Sequence, residues 1–307
     1  MKAITVRDAA AGADGMTIDE RPLPHASEND VIVRVHAAGF TPGELSWPAT
    51  WTDRAGRDRT PTVPGHELAG VVTELGYGTT GLTVGQRVFG LADWTRDGTL
   101  AEYVAVEARN LAPLPADVDF VTGASLPISG LTAWQGLFLH GGLQAGQTVL
   151  VTGVAGGVGS VVVQLARAAG ARVIGTGRAG HRKRAEEAGA HAFADIDRGE
   201  LDAVGDVDLV FDVLGGEPGA RAAALVRPGG TLISIAAPPE SERVGIRSVF
   251  FVVEPSRTEL VDLAARVLGG TLRTFVGDVV TLDEAATAFR AGASKGGGKT
   301  IVRVVAD

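Results

Sequence analysis

Glycines recur every three residues, at Gly153, Gly156 and Gly159, in a turn between an apolar run, TVLVT (148–152), and a helix-like run, SVVVQLARAAG (160–170). Small residues let a backbone turn approach a pyrophosphate, and the free amides at a helix start supply donors and the positive end of a dipole. The turn therefore predicts a dinucleotide site built from Gly153, Ala155, Gly156, Gly157, Val158 and Gly159. The alternative is a tight strand-to-helix connection that binds nothing.

The end of the next strand indicates which dinucleotide is bound. Residues 171–174 (ARVI) predict a second buried strand, which ends at Thr176, Gly177 and Arg178. An NAD site places an acidic residue here, whereas arginine accommodates the 2′-phosphate of NADP. No acidic residue lies between Gly177 and Glu186. We therefore expect NADP(H), with its 2′-phosphate near Thr176, Gly177, Arg178 and Arg182. The alternative is that these cations form the solvated face of the next helix, which we accept for Lys183 and Arg184.

Composition bounds the class of protein. The chain has 307 residues, 45% of them hydrophobic, a formal net charge of −8 and no cysteine. This length suggests two domains, and the negative charge argues against nucleic acid or an anionic membrane as partner. With no secretory or membrane-spanning apolar run, we expect a soluble, cytoplasmic protein. The lack of cysteine excludes disulfides, a thiolate nucleophile and zinc-thiolate sites.

The pattern of apolar residues differs between the first third of the chain and the rest. In the first third, Val31, Val33 and Val35 alternate, and residues 68–74 and 87–89 look like further strands, as in a small, partly open barrel. The loop 42–64 contains Trp47 and Trp51 and is long enough for a lid or a substrate wall, or is a plain insertion.

From about Phe120, helices alternate with apolar strands, which predicts an α/β fold with a doubly wound parallel sheet. We expect helices over 182–188, 220–226 and from Pro255 through Val267, and strands near Ala192 and over 207–213, 231–235 and 248–253. The segment 272–305 has strand, helix and strand signals. It is too short to form its own core, so it is predicted to return to the first domain.

Six further motifs occur in a fixed order: AAGFTPGEL (37–45), PGHELAGVV (64–72), VGQRVFG (84–90), GTLAEYV (98–104), LPISGLTAW (126–134) and GKTIVR (298–303). With the glycine turn, they make the chain resemble the medium-chain dehydrogenase/reductase superfamily, and within it the zinc-free quinone oxidoreductase branch. The resemblance implies a GroES-like catalytic domain over 1–120 and 268–307, a Rossmann NADP-binding domain over 121–267, and a cleft between them for nicotinamide and substrate.

Zinc alcohol dehydrogenases of the superfamily use a cysteine in the segment matching residues 39–41, the histidine of the Gly-His-Glu motif, and a second cysteine or an acidic residue. Here Phe40 or Thr41 replaces the first thiolate, and His66 with Glu67 gives too few ligands for a catalytic zinc. We therefore expect no metal site.

Without a metal ion to act as a Lewis acid, hydride transfer requires an acceptor that is already electrophilic, such as a quinone or an α,β-unsaturated carbonyl. The alternatives are an NADPH-binding structural or regulatory protein with little turnover and a zinc alcohol dehydrogenase with unusual ligands.

The resemblance and the strand ends also suggest individual site residues. Thr41, Ser46 and Thr132 match positions near the nicotinamide. Thr41, Trp47 and His66 are candidate catalytic residues, with the alternative that His66 is a structural hydrogen-bonding residue. Strand ends predict cofactor contacts at Leu214, Gly215, Ile235 and Ala236. Phe250, Phe251 and Val252 match a segment that lines the nicotinamide and pairs across a homodimer. An exposed edge strand as apolar as 248–253 would promote aggregation unless it is covered or paired, which also favours a homodimer.

Overall fold

The structure, a computed structural model, describes residues 1–238, 245–292 and 297–305. Residues 293–296 and 306–307 of the predicted C-terminal range 268–307 thus lie outside the described residues. The strands in chain order are β1 (Lys2–Thr5), β2 (Thr17–Glu20), β3 (Asp30–Gly39), β4 (Glu67–Leu75), β5 (Arg87–Leu91), β6 (Tyr103–Glu107), β7 (Leu111–Pro113), β8 (Thr148–Val151), β9 (Arg172–Gly177), β10 (Ala192–Asp195), β11 (Val207–Asp212), β12 (Val226–Ser234), β13 (Arg247–Phe250), β14 (Val276–Thr281) and β15 (Lys299–Arg303).

The α-helices are α1 (Pro48–Trp51), α2 (Phe120–Ser125), α3 (Pro127–Trp134), α4 (Gly157–Ala168), α5 (Arg182–Ala188), α6 (Gly216–Ala223), α7 (Arg257–Leu268) and α8 (Leu282–Arg290). A π-helical turn, Gln135–His140, follows α3. Short 3₁₀ turns include Pro42–Ser46 and Ala179–His181. No helix among these described segments combines the length and the apolar character needed to cross a membrane.

Unit 1 comprises Met1–Ile128, Pro255–Thr271 and Val276–Asp307. Its main sheet has the strand order β14-β15-β3-β4-β5-β7, with β6 also paired to β3. The alternating residues Val31, Val33 and Val35 are fully buried in its core, as their spacing predicted. The C-terminal strand β15 pairs with β3, so the end of the chain joins the sheet built from the first third of the sequence.

Unit 2 comprises Ser129–Glu254 and Leu272–Phe275. Its sheet has the order β10-β9-β8-β11-β12-β13, and every neighbouring pair is parallel. The predicted doubly wound α/β sheet is therefore confirmed. Since β8 and β11 are neighbours at the point where the order reverses, the turns after these strands lie where such sheets bind ligands.

Some predicted boundaries were wrong. The helix expected over 220–226 is α6, which starts at Gly216, directly after the positive-φ residue Gly215, and ends at Ala223. Val226 instead pairs with Val207 as the first residue of β12, in keeping with its β-branched side chain. The helix α7, which the sequence analysis placed in the nucleotide-binding domain, belongs to unit 1.

Candidate active site

The glycine turn after β8 has a backbone that only small residues permit. Gly153 has a φ of +61°, which strains any residue with a Cβ. A Cβ on Gly159 would collide with the carbonyl of Gly153, so α4 begins in direct contact with the turn. The helix N-cap, Gly156, has no side-chain cap from the described residues, and the first turn of α4 holds no acidic residue. The amides at this helix start are thus not neutralised by a side chain and suit a phosphate.

A second turn, after β11, lies beside the glycine turn. The buried carboxylate of Asp212 accepts from Thr152 Oγ1 at 2.7 Å and from the amides of Leu214 and Gly215 at 3.1 Å each. Thr152 Oγ1 in turn accepts from the Val213 amide at 2.8 Å. These bonds fix the backbone that carries the predicted contacts Leu214 and Gly215.

The predicted residues at three strand ends are brought together. The space where a Cβ of Gly153 would stand lies 3.2 Å from the Leu214 side chain, and that of Gly215 lies 2.9 Å from Ala236 Cβ. Ile235 donates its amide to the carbonyl of Asp212 at 3.1 Å. Gly153, Leu214, Gly215, Ile235 and Ala236 therefore share one edge of the parallel sheet.

Phe250, the last residue of β13, and the two residues after it differ in their exposure. Phe251 is buried, with its ring centroid 4.5 Å from that of His140, and it packs inside unit 2. Phe250 and Val252 are exposed at 39% and 62%. They are the part of the predicted segment that remains accessible.

The arginines that follow β9 have different partners. Arg178 is exposed, and its side chain has no ion pair or hydrogen bond to the described residues. Arg182, predicted beside it at the phosphate, instead pairs with Glu200 at 3.2 Å and lies over the Phe193 ring. Arg184, which we had assigned to the solvated face, donates to the carbonyl of Ala155 in the glycine turn at 3.3 Å. The hydroxyl of Thr176 is used by the neighbouring strand, since it donates to the Ala194 carbonyl at 2.9 Å.

In unit 1 the candidate residues lie around a short 3₁₀ turn. Thr41 is its N-cap, and its amide donates to Glu44 Oε2 at 3.3 Å. The exposed Ser46 donates its hydroxyl to the Gly43 carbonyl at 2.6 Å. Thr132, which belongs to unit 2, is buried in α3.

His66 is buried inside an aromatic cluster. The His66 and Trp94 ring centroids are 4.8 Å apart, and those of Trp94 and Trp47 are 5.4 Å apart, both edge to face. Trp47 thus belongs to one aromatic surface with His66, whereas Trp51 packs against the core and donates Nε1 to the Leu45 carbonyl at 2.8 Å. Burial and the charge of Arg59 lower the pKa of His66 to about 3, against the opposing charge and backbone of Asp93. The imidazole is neutral at physiological pH.

Two residues of these sites were not singled out from the sequence, and a third lies in the turn 212–216, which the sequence did indicate. Glu44 lies 3.9 Å from His66 through its Oε1 atom, Trp94 completes the aromatic surface, and Asp212 organises the second turn. Asp212 carried a signal, because it ends an apolar strand directly before two glycines. Glu44 lay within the AAGFTPGEL motif, but spacing alone does not show that its carboxyl group is fully buried.

The residues fit a dinucleotide better than a metal. The uncapped helix start, the close-packed glycines and the exposed Arg178 suit the phosphates of a dinucleotide. Over residues 1–238, 245–292 and 297–305, no three His, Cys, Asp or Glu side chains are grouped as metal ligands.

Comparison with known proteins gives matches along the whole chain. Residues 27–116 match the family "Alcohol dehydrogenase GroES-like domain", and residues 157–258 match "Zinc-binding dehydrogenase". A solved structure, the quinone oxidoreductase from Coxiella burnetii, superposes with a TM-score of 0.89 at 26% identity, over 99% of each chain.

Three curated proteins are similar in sequence. "Probable zinc-binding oxidoreductase, mitochondrial" of Arthroderma benhamiae is 31% identical over 89% of this chain and 88% of its own length. "NADPH-dependent alkenal/one oxidoreductase, chloroplastic" of Arabidopsis thaliana is 32% identical over 69% of this chain and 56% of its own length. "Spectinabilin polyketide synthase system protein NorB" of Streptomyces orinoci is 33% identical over 91% of this chain, which spans only 14% of that protein. From the glycine turn, the parallel sheet and these matches together, we conclude that the chain belongs to the medium-chain dehydrogenase/reductase superfamily of oxidoreductases.

Proposed function

We propose that this protein reduces a quinone, or the activated C=C bond of an α,β-unsaturated carbonyl, with NADPH and without a metal ion. The observation that carries the proposal is the cluster of His66, Trp94 and Trp47, which offers a neutral imidazole and an aromatic surface. The names of two similar proteins, a quinone oxidoreductase and an alkenal/one oxidoreductase, support the same pair of acceptors.

NADPH, when bound, supplies the hydride. The glycine turn and the start of α4 would hold its pyrophosphate, the turns after β11 and β12 would contact its ribose and nicotinamide, and Arg178 would bind the 2′-phosphate. Arg178 is suited to this role because the described residues leave its guanidinium unpaired. An unpaired arginine at this position favours NADPH over NADH, because only NADPH carries the 2′-phosphate.

The residues of unit 1 would bind the acceptor. Trp47 provides a flat apolar face for a quinone or an enone, and Thr41 provides a small polar contact. His66, being neutral, carries one ring N–H that can donate to the acceptor oxygen as negative charge develops there. This assigns transition-state stabilisation to the protein rather than to a metal.

Zinc is not required in this proposal because the chain has no cysteine to supply thiolate ligands. The test measures NADPH oxidation by the purified protein with a panel of quinones and enones, before and after dialysis against a chelator. We expect turnover that survives the chelator. NADPH binding without turnover on any acceptor would favour a structural or regulatory role, and loss of activity together with stoichiometric zinc would favour an alcohol dehydrogenase.

The state of assembly is part of the proposal. Strand β13 ends the described sheet of unit 2, and Phe250 and Val252 leave its end exposed and apolar. Pairing of this strand with its copy in a second chain would cover both, so we expect a homodimer. Light scattering of the wild type and of V252D should show a dimer and a shift towards monomer, respectively.

A further inference from the structure

A fully buried carboxyl group, that of Glu44, stands behind His66. Its Oε1 atom lies 3.9 Å from His66 Nε2 and also accepts from the Gly65 amide. Both side chains are almost inaccessible, at 0% for Glu44 and 1% for His66. A separation of 3.9 Å is too long for a hydrogen bond, but catalytic hydrogen bonds often tighten only when substrate is bound.

The two ring nitrogens of His66 make no hydrogen bond to any described residue. A buried imidazole without partners is costly, by roughly 1–3 kcal/mol, so such a residue requires a function or a bound group to explain it. Asp93, which is paired with Arg54, acts on His66 through its charge and its backbone. Nε2 is the ring nitrogen that lies 3.9 Å from Glu44, and Nδ1 is equally buried.

A second buried carboxyl group lies next along the chain and has different partners. Glu67 is ion-paired with Lys299 and accepts from the Ile128 amide at 3.0 Å. Its carboxylate is thus held by the Lys299 cation, and its charge, opposed by that of Lys299, acts on Glu44 only at a distance. Glu44 is therefore the acid that can exchange a proton with His66.

Burial also sets the protonation states. Loss of hydration raises the pKa of Glu44 to about 8, despite the amide donors of Gly65 and Thr41. At neutral pH a protonated carboxylic acid therefore faces a neutral imidazole. Before hydride transfer the pair therefore holds a transferable proton and carries no net charge in the buried site.

We infer that Glu44 is the proton reservoir for His66, and that the pair delivers the proton that completes acceptor reduction. The inference rests on the proposed function and extends it to the source of the proton. A hydride adds to the β-carbon of the enone, and the C=C electron pair moves to leave an enolate oxygen. His66 Nδ1–H protonates that oxygen while the Glu44 carboxyl proton moves to Nε2. The products are an enol, a neutral His66 of the other tautomer and a Glu44 carboxylate. His66 Nε2–H then returns its proton to Glu44 and Nδ1 takes one proton from solvent, so both groups regain their starting protonation states.

The test uses Glu44→Gln, a near-isosteric amide that cannot supply a proton. Enone reduction by the wild type should be constant at neutral pH and fall as pH rises through about 8, because deprotonated Glu44 has no proton to give. In E44Q we expect kcat to be lower by roughly tenfold to a hundredfold, KM to change little, and the alkaline fall to disappear. Glu284→Gln, which alters an exposed capping carboxylate in the same unit, is the matched control and should keep the wild-type profile.

A spectroscopic measurement does not depend on activity. Infrared spectra at neutral pH should show the carbonyl stretch of a protonated carboxylic acid in the wild type and in E284Q. The band should be missing in E44Q and should titrate in the wild type with the same midpoint as the alkaline fall in rate. If E44Q does not fold, the coincidence of the two midpoints in the wild type decides the question.

The possible failures are distinguishable. An active wild type whose E44Q variant retains both rate and pH profile, or which lacks the carboxylic acid band, would overturn the proton reservoir alone. Absence of NADPH oxidation with every acceptor would overturn the proposed function, and this inference with it.

Discussion

The guanidinium of Arg178 is the cation that we expect to distinguish NADPH from NADH. Since it is exposed and unpaired among the described residues, a 2′-phosphate would gain a charge-assisted hydrogen bond from it without breaking an existing one. Arg178→Ala should weaken NADPH binding about tenfold, equivalent to about 1.4 kcal/mol, and leave NADH binding unchanged. Fluorescence titration with both cofactors measures the ratio.

Arg182→Ala is the matched control for that measurement. Its side chain is occupied by Glu200 and Phe193, so its removal should affect both cofactors equally. A larger loss of NADPH preference in R182A than in R178A would reverse the assignment and return Arg182 to the role that the sequence suggested.

At the scale of residues, the sequence indicated the segment after β9 but not which partner each of its cationic side chains has. Arg182 and Arg184 are two positions apart on α5, so the helical twist sends them to different neighbours, Glu200 and the Ala155 carbonyl. Spacing along the chain identifies neither neighbour. His66 was found because a motif surrounds it, whereas its buried partner Glu44 depends on tertiary packing.

At the scale of elements, the contact between the glycine turn and α4 decides whether the phosphate site exists. A Cβ on Gly159 would meet the backbone of Gly153, which cannot yield as a flexible side chain could. Gly159→Ala should therefore displace the helix start, lower the free energy of unfolding by about 2 kcal/mol and weaken NADPH binding. Denaturant unfolding and cofactor titration measure the two effects.

Gly180→Ala provides the comparison, because a Cβ there would meet nothing within 4 Å. Its free energy of unfolding should stay close to that of the wild type. Equal stability and equal cofactor affinity in G159A and the wild type would show that the turn does not need a glycine at this position.

The elements themselves were largely predictable because local patterns and tertiary pairing agree. The apolar run before the glycines is a buried parallel strand, and the cationic run at 182–188 is α5 with the expected bounds. The predicted strand over 248–253 is shorter, since pairing with β12 ends at Phe250. Apolar character marks burial, but ladder pairing sets where a strand ends, and the sequence contains no local signal for that.

At the scale of the whole molecule, the C-terminal strand is joined to the N-terminal sheet of unit 1. Strand β15 pairs with β3, and Lys299 at its start forms an ion pair with the buried Glu67. The sequence predicted the return of this segment from its length, since a strand, a helix and a strand cannot form a core alone. It did not predict that a buried charge pair would hold the segment there.

Removal of Lys299 should show what that pair contributes. Lys299→Met leaves a buried carboxyl group without its cation, which typically lowers the free energy of unfolding by about 3–5 kcal/mol. Burial already raises the pKa of Glu67, and without Lys299 it should rise further, so the loss of stability should grow as pH increases and the native state must bury a charge. The double variant E67Q/K299M should recover part of the loss and show no such pH dependence.

Lys2→Met is the control. It removes a partly exposed ion pair with Asp283 and should lower the free energy of unfolding by at most about 1 kcal/mol. Urea unfolding of the wild type and these three variants across pH measures the difference. A loss in K299M no greater than in K2M would mean that the buried pair is not what holds the C-terminal strand in place.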